Sequence, residues 1–111
     1  MRVLGYSKKW DKLKKPEHTT FRFPRKDSAK GRDWHVGETV QEVFHPRGKD
    51  REFIQVAMII KKEPRLICSI DDEEAVEDGF PEGFPQMMEF LNQPKGDAII
   101  NKLTLRVVDR F

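Results

Sequence analysis

The apolar residues of this chain fall mostly into short runs with a two-residue period, interrupted by stretches with helical spacing. Val3 and Leu4 before Gly5 predict a first short strand that ends in a turn. Ser7 can cap a helix starting at Lys8, on which Trp10 and Leu13 turn inward while Lys8, Lys9, Lys12 and Lys15 face water. Pro16 disfavours helical backbone at Lys15, so that helix stops there and extended chain follows. In Thr19-Thr20-Phe21-Arg22-Phe23 the β-branched and aromatic residues favour a strand with Phe21 and Phe23 on one face and Thr20 and Arg22 on the other.

Further along, Arg25 to Asp33 has no apolar anchor larger than Ala29, the composition of a mobile loop and a candidate lid. Gly37 supplies a turn, Val40 to Phe44 a strand, and the polar segment from His45 to Asp50, with its Pro and Gly, the turn of a hairpin. Phe53 to Lys61 has the strongest strand character and should be the central strand, buried on both faces over part of its length. Pro64 marks a bend or bulge before another apolar stretch from Arg65 to Ile70. Acidic residues from Asp71 to Glu74 open a helix of about two turns that Gly79 ends in a left-handed cap. Pro85, with Phe84, Met87, Met88 and Leu91 at helical spacing, starts a second helix, and Ile99 to Arg110 closes the chain as an alternating strand.

The sum is an α+β chain, and 111 residues suit a single domain, 1–111, with one core. No apolar run approaches the roughly 20 residues of a membrane span, and the amino-terminal stretch lacks a secretory apolar region, which predicts a cytoplasmic protein without membrane contact. Cys68 is the only cysteine, so no internal disulfide is expected. Ile67 and Ile70 beside it predict a buried, inert thiol rather than a nucleophile. His18, His35 and His45 lack the spacing of metal ligands. There is no phosphate-binding glycine loop or nucleophile elbow. No metal or cofactor is expected, and nucleotide hydrolysis and ordinary serine esterase chemistry are excluded.

The formal charge of +2 hides a polarity: residues 1 to 35 hold 11 Lys or Arg against 4 Asp or Glu, and the rest 10 against 15. At the basic end, Thr20 and Arg22 side by side, with Arg25 and Lys26 beyond Pro24, suit a phosphate or a polar base edge, although an ordinary solvated strand face fits them equally. Lys14 and Lys15 directly before that strand add to the case for an anionic partner. Trp34 either stacks a base or closes the edge of the core. Four such cations on phosphates predict a log affinity that falls against log salt with a slope between about −3 and −4.

In order and spacing, Thr20-Phe21-Arg22, Gly37-Glu38-Thr39-Val40, the segment from Asp72 to Phe80 and Glu89-Phe90-Leu91 resemble the ASCH domains over nearly the whole chain. The resemblance implies a small PUA-like β-barrel with short peripheral helices and a cleft beside the early Thr/Arg strand that binds RNA or nucleotides. One branch of the family implies a second activity, an amidohydrolase acting on acetylcytidine through a lysine, a threonine and an acid. Thr20 matches the threonine and Asp78 stands at the acid, but Glu17 occupies the lysine position; Lys14 or Lys15 would have to reach it across the Pro16 bend. In that activity Thr20 is the nucleophile and Asp78 or Glu17 assists proton transfer. A third reading, a protein-interaction surface, rests on the acidic segment from Asp71 to Asp78 and names no partner.

Overall fold

The chain's longest apolar run becomes the middle of its sheet. In the computed structural model, which describes residues 2–8, 10–24 and 33–110, that run lies in β4 (Glu52–Leu66), flanked by β3 (Thr39–Phe44) and β5 (Ile99–Arg110). β1 (Arg2–Tyr6) adds parallel to β3 and β2 (Glu17–Arg22) antiparallel to β5, giving one mixed sheet in the order β1-β3-β4-β5-β2. With α1 (Asp72–Asp78) and α2 (Phe84–Phe90) this is an α+β fold.

The sheet is open: β1 and β2 are its edges, and no ladder joins them among the described residues. It is nevertheless strongly curled, as the right-handed twist of strands allows. His18 of β2 meets Glu42 of β3 at 2.8 Å, and the Arg22 guanidinium of β2 lies 4.9 Å from the Tyr6 ring centre of β1, although neither strand is a ladder neighbour of β2.

Strand alternation sorts the side chains of β5 and β2 into two clusters. Leu103 and Leu105 face the inside of the curl with Leu4, Val40, Ala57 and Ile59, closed by Leu13 and Trp34. Ile100 and Phe21, of opposite parity to Leu103 and Thr20, face the helices and pack with Ile67, Ala75, Phe80 and Met87. Thr20 and Arg22 are thereby committed to the inner face, as the two-residue period predicts.

Three expectations need correction. In place of the expected helix from Lys8, the described residues 10 to 15 form a 3-10 turn over Asp11–Lys14, entered from an extended Trp10, and Lys12 is buried in it rather than facing water. Pro64 does not break the ladder: it stays in β4 opposite Asn101. β3 pairs with β4 only as far as Met58, so among the described residues the side of Pro64 without an N–H faces no ladder partner. Cys68 is exposed, because in its 3-10 turn Ile67 and Ile70 take the inward positions and are buried on either side of it.

Both helices start and stop as their residues dictate. Asp71 accepts a hydrogen bond from the Glu74 amide at 2.8 Å and caps α1, whose last turn closes on Gly79 at φ +116°. A β-carbon there would sit 2.6 Å from the Trp10 ring, so the position needs glycine for its backbone and for its space. Glu74 is drawn off the acidic face by Arg65 at 2.7 Å and Lys102 at 2.9 Å. Pro85 begins α2, Met87 is fully buried, and Phe84, Met88 and Leu91 pack beside it.

Gly79→Ala should therefore lower the unfolding free energy by about 1 to 3 kcal/mol through backbone strain alone, and move the Trp10 emission as the ring is displaced. Urea titration read by fluorescence checks it; an unchanged midpoint would contradict the packing described.

Candidate functional site

Pro16 keeps the segment before β2 to a single turn, and that turn carries Lys12 under the strand. Its Nζ donates to the Thr19 carbonyl at 2.7 Å and to Asp78 Oδ1, at the end of α1, at 3.0 Å. Both side chains of the pair are almost wholly buried. On β2, Arg22 Nε donates to Thr20 Oγ1 at 3.2 Å, and its guanidinium lies over the Tyr6 ring. Among the described residues the terminal nitrogens of Arg22 have no hydrogen-bond or ion-pair partner.

These groups converge on a half-open pocket of about 360 Å³. Phe21, Phe80, Met87 and Leu91 form its apolar wall, and Phe23 and Phe90 stand at it with 43% and 50% of their surface exposed. Trp10 joins Phe80 and Phe90 edge-on, with ring centres 5.2 and 5.8 Å away. Two cations and one acid thus meet an aromatic wall, the combination that orients a planar polar ligand.

Burial governs the charges. It pushes the Lys12 ammonium below its ordinary range, an effect that Asp78 only partly offsets. It raises the Asp78 carboxyl to about 6 against the pull of Lys12 and Arg22. Each shift favours the neutral form, so desolvation outweighs the mutual attraction of the pair. A buried lysine lowered from its ordinary range beside an acid raised to about 6 is a pair suited to acid–base work.

Beneath the pocket, Tyr6 donates its hydroxyl to Glu42, which also receives Gln55 Nε2 at 3.0 Å and contacts His18 Nε2 at 2.8 Å. Burial acts to raise the Glu42 carboxyl, yet hydrogen bonds from His18, Tyr6 and Gln55 leave it below its ordinary range. Burial and the Glu42 charge hold the Tyr6 phenol well above its own. Tyr6 therefore stays protonated, anchored at its hydroxyl with its ring under Arg22.

Of the residues proposed from sequence, Thr20, Arg22 and Asp78 come together here. Lys14 and Lys15 are exposed and line no part of this pocket; Lys14 lies 3.9 Å from the Asp11 carboxylate. Neither reaches the lysine position of the hydrolase. Glu17 is on the outer face of β2, paired with Arg106 at 3.1 Å, and assists nothing in the pocket. Trp34 is buried in the inner cluster under the Arg2 guanidinium at 4.5 Å, which leaves it no face for a base. Arg25, Lys26 and the candidate lid at 25–32 lie outside the described residues.

Lys12, Tyr6 and Phe90 were missed. Helical spacing counted from Trp10 to Leu13 put Lys12 on the wet side, and only the Pro16 stop hinted that the segment is too short for that spacing to hold. No group of three or more His, Cys, Asp or Glu side chains among the described residues is placed to hold a metal ion, and no helix among them is long and apolar enough to cross a membrane. The fold and site define a small curled-sheet α+β domain with a half-open polar pocket at one sheet edge. Compared with protein-family models, curated proteins and solved structures, the chain gives no match.

Two of the perturbed acids, Asp78 and Glu74, make opposite pH statements. Asp78 is raised from 3.8 to about 6, so its contribution to stability is complete below pH 3.8 and fades as pH rises through 6. Glu74, lowered from 4.5 to about 2 chiefly by Arg65, contributes above pH 4.5 and loses that contribution as pH falls toward 2. Carboxyl carbon NMR should show Asp78 titrating near 6 and Glu74 still ionised at pH 3; an Asp78 midpoint at 4 or below would show the pair to be solvated.

Proposed function

We propose that the chain is a nucleotide- or RNA-binding domain of the ASCH type, a PUA-like barrel with short peripheral helices, and that the pocket beside β2 takes one base. The observation that carries the proposal is the convergence of Thr20, Arg22, Lys12 and Asp78 on one pocket with exposed aromatic rings beside it. A base packs against Phe90 and Phe23, where stacking contributes about 1 to 3 kcal/mol. Its polar edge faces Arg22 and Asp78, a donor fork and an acid that donates or accepts with pH. The curl that brings β2 to β1 and β3 supports the barrel, and a ligand of this kind goes with a cytoplasmic location.

Because Lys14 and Lys15 lie off the pocket, phosphate attraction should be weaker than the charge count of the amino-terminal third suggests. With one uncommitted guanidinium at the pocket, log affinity for single-stranded RNA should fall against log salt with a slope of about −1. Filter binding of mixed RNA at roughly micromolar protein checks this, and Arg22→Ala should weaken binding by about tenfold. No binding at any salt, or binding indifferent to Arg22→Ala, would refute it.

The second reading, an amidohydrolase acting on an acylated nucleoside such as acetylcytidine, is favoured by Lys12. In this reading Lys12, lowered by burial and hydrogen-bonded to Asp78 and to the carbonyl of the neighbouring Thr19, is the base that takes the Thr20 proton. Incubation with acetylcytidine, followed by chromatography, should then show deacetylation that both Thr20→Ala and Lys12→Met abolish. Turnover that survives either substitution would eliminate this mechanism.

A further inference from the structure

Arg22 borders two cavities. Besides the base pocket, Gly5, Tyr6, Ser7 and Arg22 line a second, shallower groove of about 470 Å³ that continues onto the turn between β3 and β4, where His45, Pro46 and Arg47 complete it. The two cavities share those four residues, so the groove adjoins the base pocket at Tyr6 and Arg22 and extends from there to the turn.

The turn is held in place by its own residues. Gly5 lets it close over β1: a β-carbon there would lie 2.6 Å from the Pro46 ring. His45 adopts φ +45°, uncommon for a residue with a side chain. Its imidazole is fixed at both ends, Nδ1 at 3.1 Å from Asp50 and Nε2 at 3.0 Å from the Ser7 carbonyl, and is stacked on Phe44. Three other arginines of the sheet are engaged by acids, Arg2 by Glu38, Arg65 by Glu74 and Arg106 by Glu17, and Arg110 donates to the Lys14 carbonyl. Arg22 and Arg47, both lining the groove, make no ion pair with a carboxylate among the described residues, Arg22 acting on Asp78 only at longer range.

We infer that the groove is a phosphate subsite and that the ligand of the base pocket is a phosphorylated nucleoside, not a free one. The inference rests on the base-pocket reading. The base occupies the aromatic pocket, the sugar passes the Tyr6 ring, and the phosphate lies between Arg22 and Arg47, whose planar guanidinium groups match its oxygens. A free nucleotide and an RNA chain present the same chemistry, a phosphate ester on a nucleoside.

Calorimetry with the four ribonucleosides, their 5′- and 3′-monophosphates and matching dinucleotides tests it. At low salt the best monophosphate should bind about tenfold or more tightly than its nucleoside, the equivalent of one charge-assisted contact. Arg47→Ala should erase that difference, while Lys95→Ala, an exposed lysine outside both cavities, should keep it. Preference for a monophosphate over the dinucleotide identifies a free nucleotide as the ligand, and the reverse identifies RNA; either supports the subsite. Nucleosides binding as tightly as monophosphates, or a phosphate preference that survives Arg47→Ala, would overturn the subsite and leave the base pocket standing. No binding of nucleosides, nucleotides or dinucleotides would remove both.

Discussion

The buried contact of Lys12 with Asp78 and the Thr19 carbonyl is what the site depends on. One ammonium joins the turn before β2, the strand itself and the end of α1, three segments that otherwise belong to different layers. Breaking such a pair from one side typically costs about 3 to 5 kcal/mol, because the remaining charge is left without water or partner. That is a large share of the roughly 5 to 15 kcal/mol that holds a domain together. A hydrophobic pair would hold the same layers at less expense; the polar contact instead leaves a lysine and an acid at the floor of the pocket.

The curl of the sheet does the remaining positioning. An untwisted sheet in the order β1-β3-β4-β5-β2 would hold Tyr6 and Arg22 at opposite edges, four strand spacings apart. Curled, it brings the ring under the guanidinium and His18 to Glu42. The buried Glu42, with Tyr6, His18 and Gln55 around it, then fixes the Tyr6 ring from below. Thr20, Arg22 and Tyr6 thus reach the pocket from strands and Asp78 from a helix end, while Lys12 comes from the turn before β2.

How much of this could be read from the residues depends on the range of the interaction. Alternation placed Thr20 and Arg22 together, acids and glycine fixed both ends of α1, and the run from Phe53 to Ile60 announced the central strand; each is decided within a few residues. The Lys12–Asp78 pair spans 66 residues, and no local pattern encodes it. Trp34 shows the opposite failure: an aromatic beside a basic loop reads as a stacking surface, yet a full ring in a small domain is more valuable inside the core. Pro64 was misjudged because an edge cannot be recognised until it is known where the neighbouring strand stops. The charge count of the first 35 residues overstated the pocket's basicity for the same reason, since Lys14 and Lys15 belong to that stretch but not to that surface.

The central claim, that a base occupies the pocket beside β2, is tested most directly by NMR of the labelled protein titrated with ribonucleotides. The account predicts that the Arg22 Nε–H, the Trp10 indole and the amides of Gly5 to Ser7 shift together in one saturable step. Shifts confined to Lys14, Lys15 and the outer face of β2, with those signals unmoved, would contradict it.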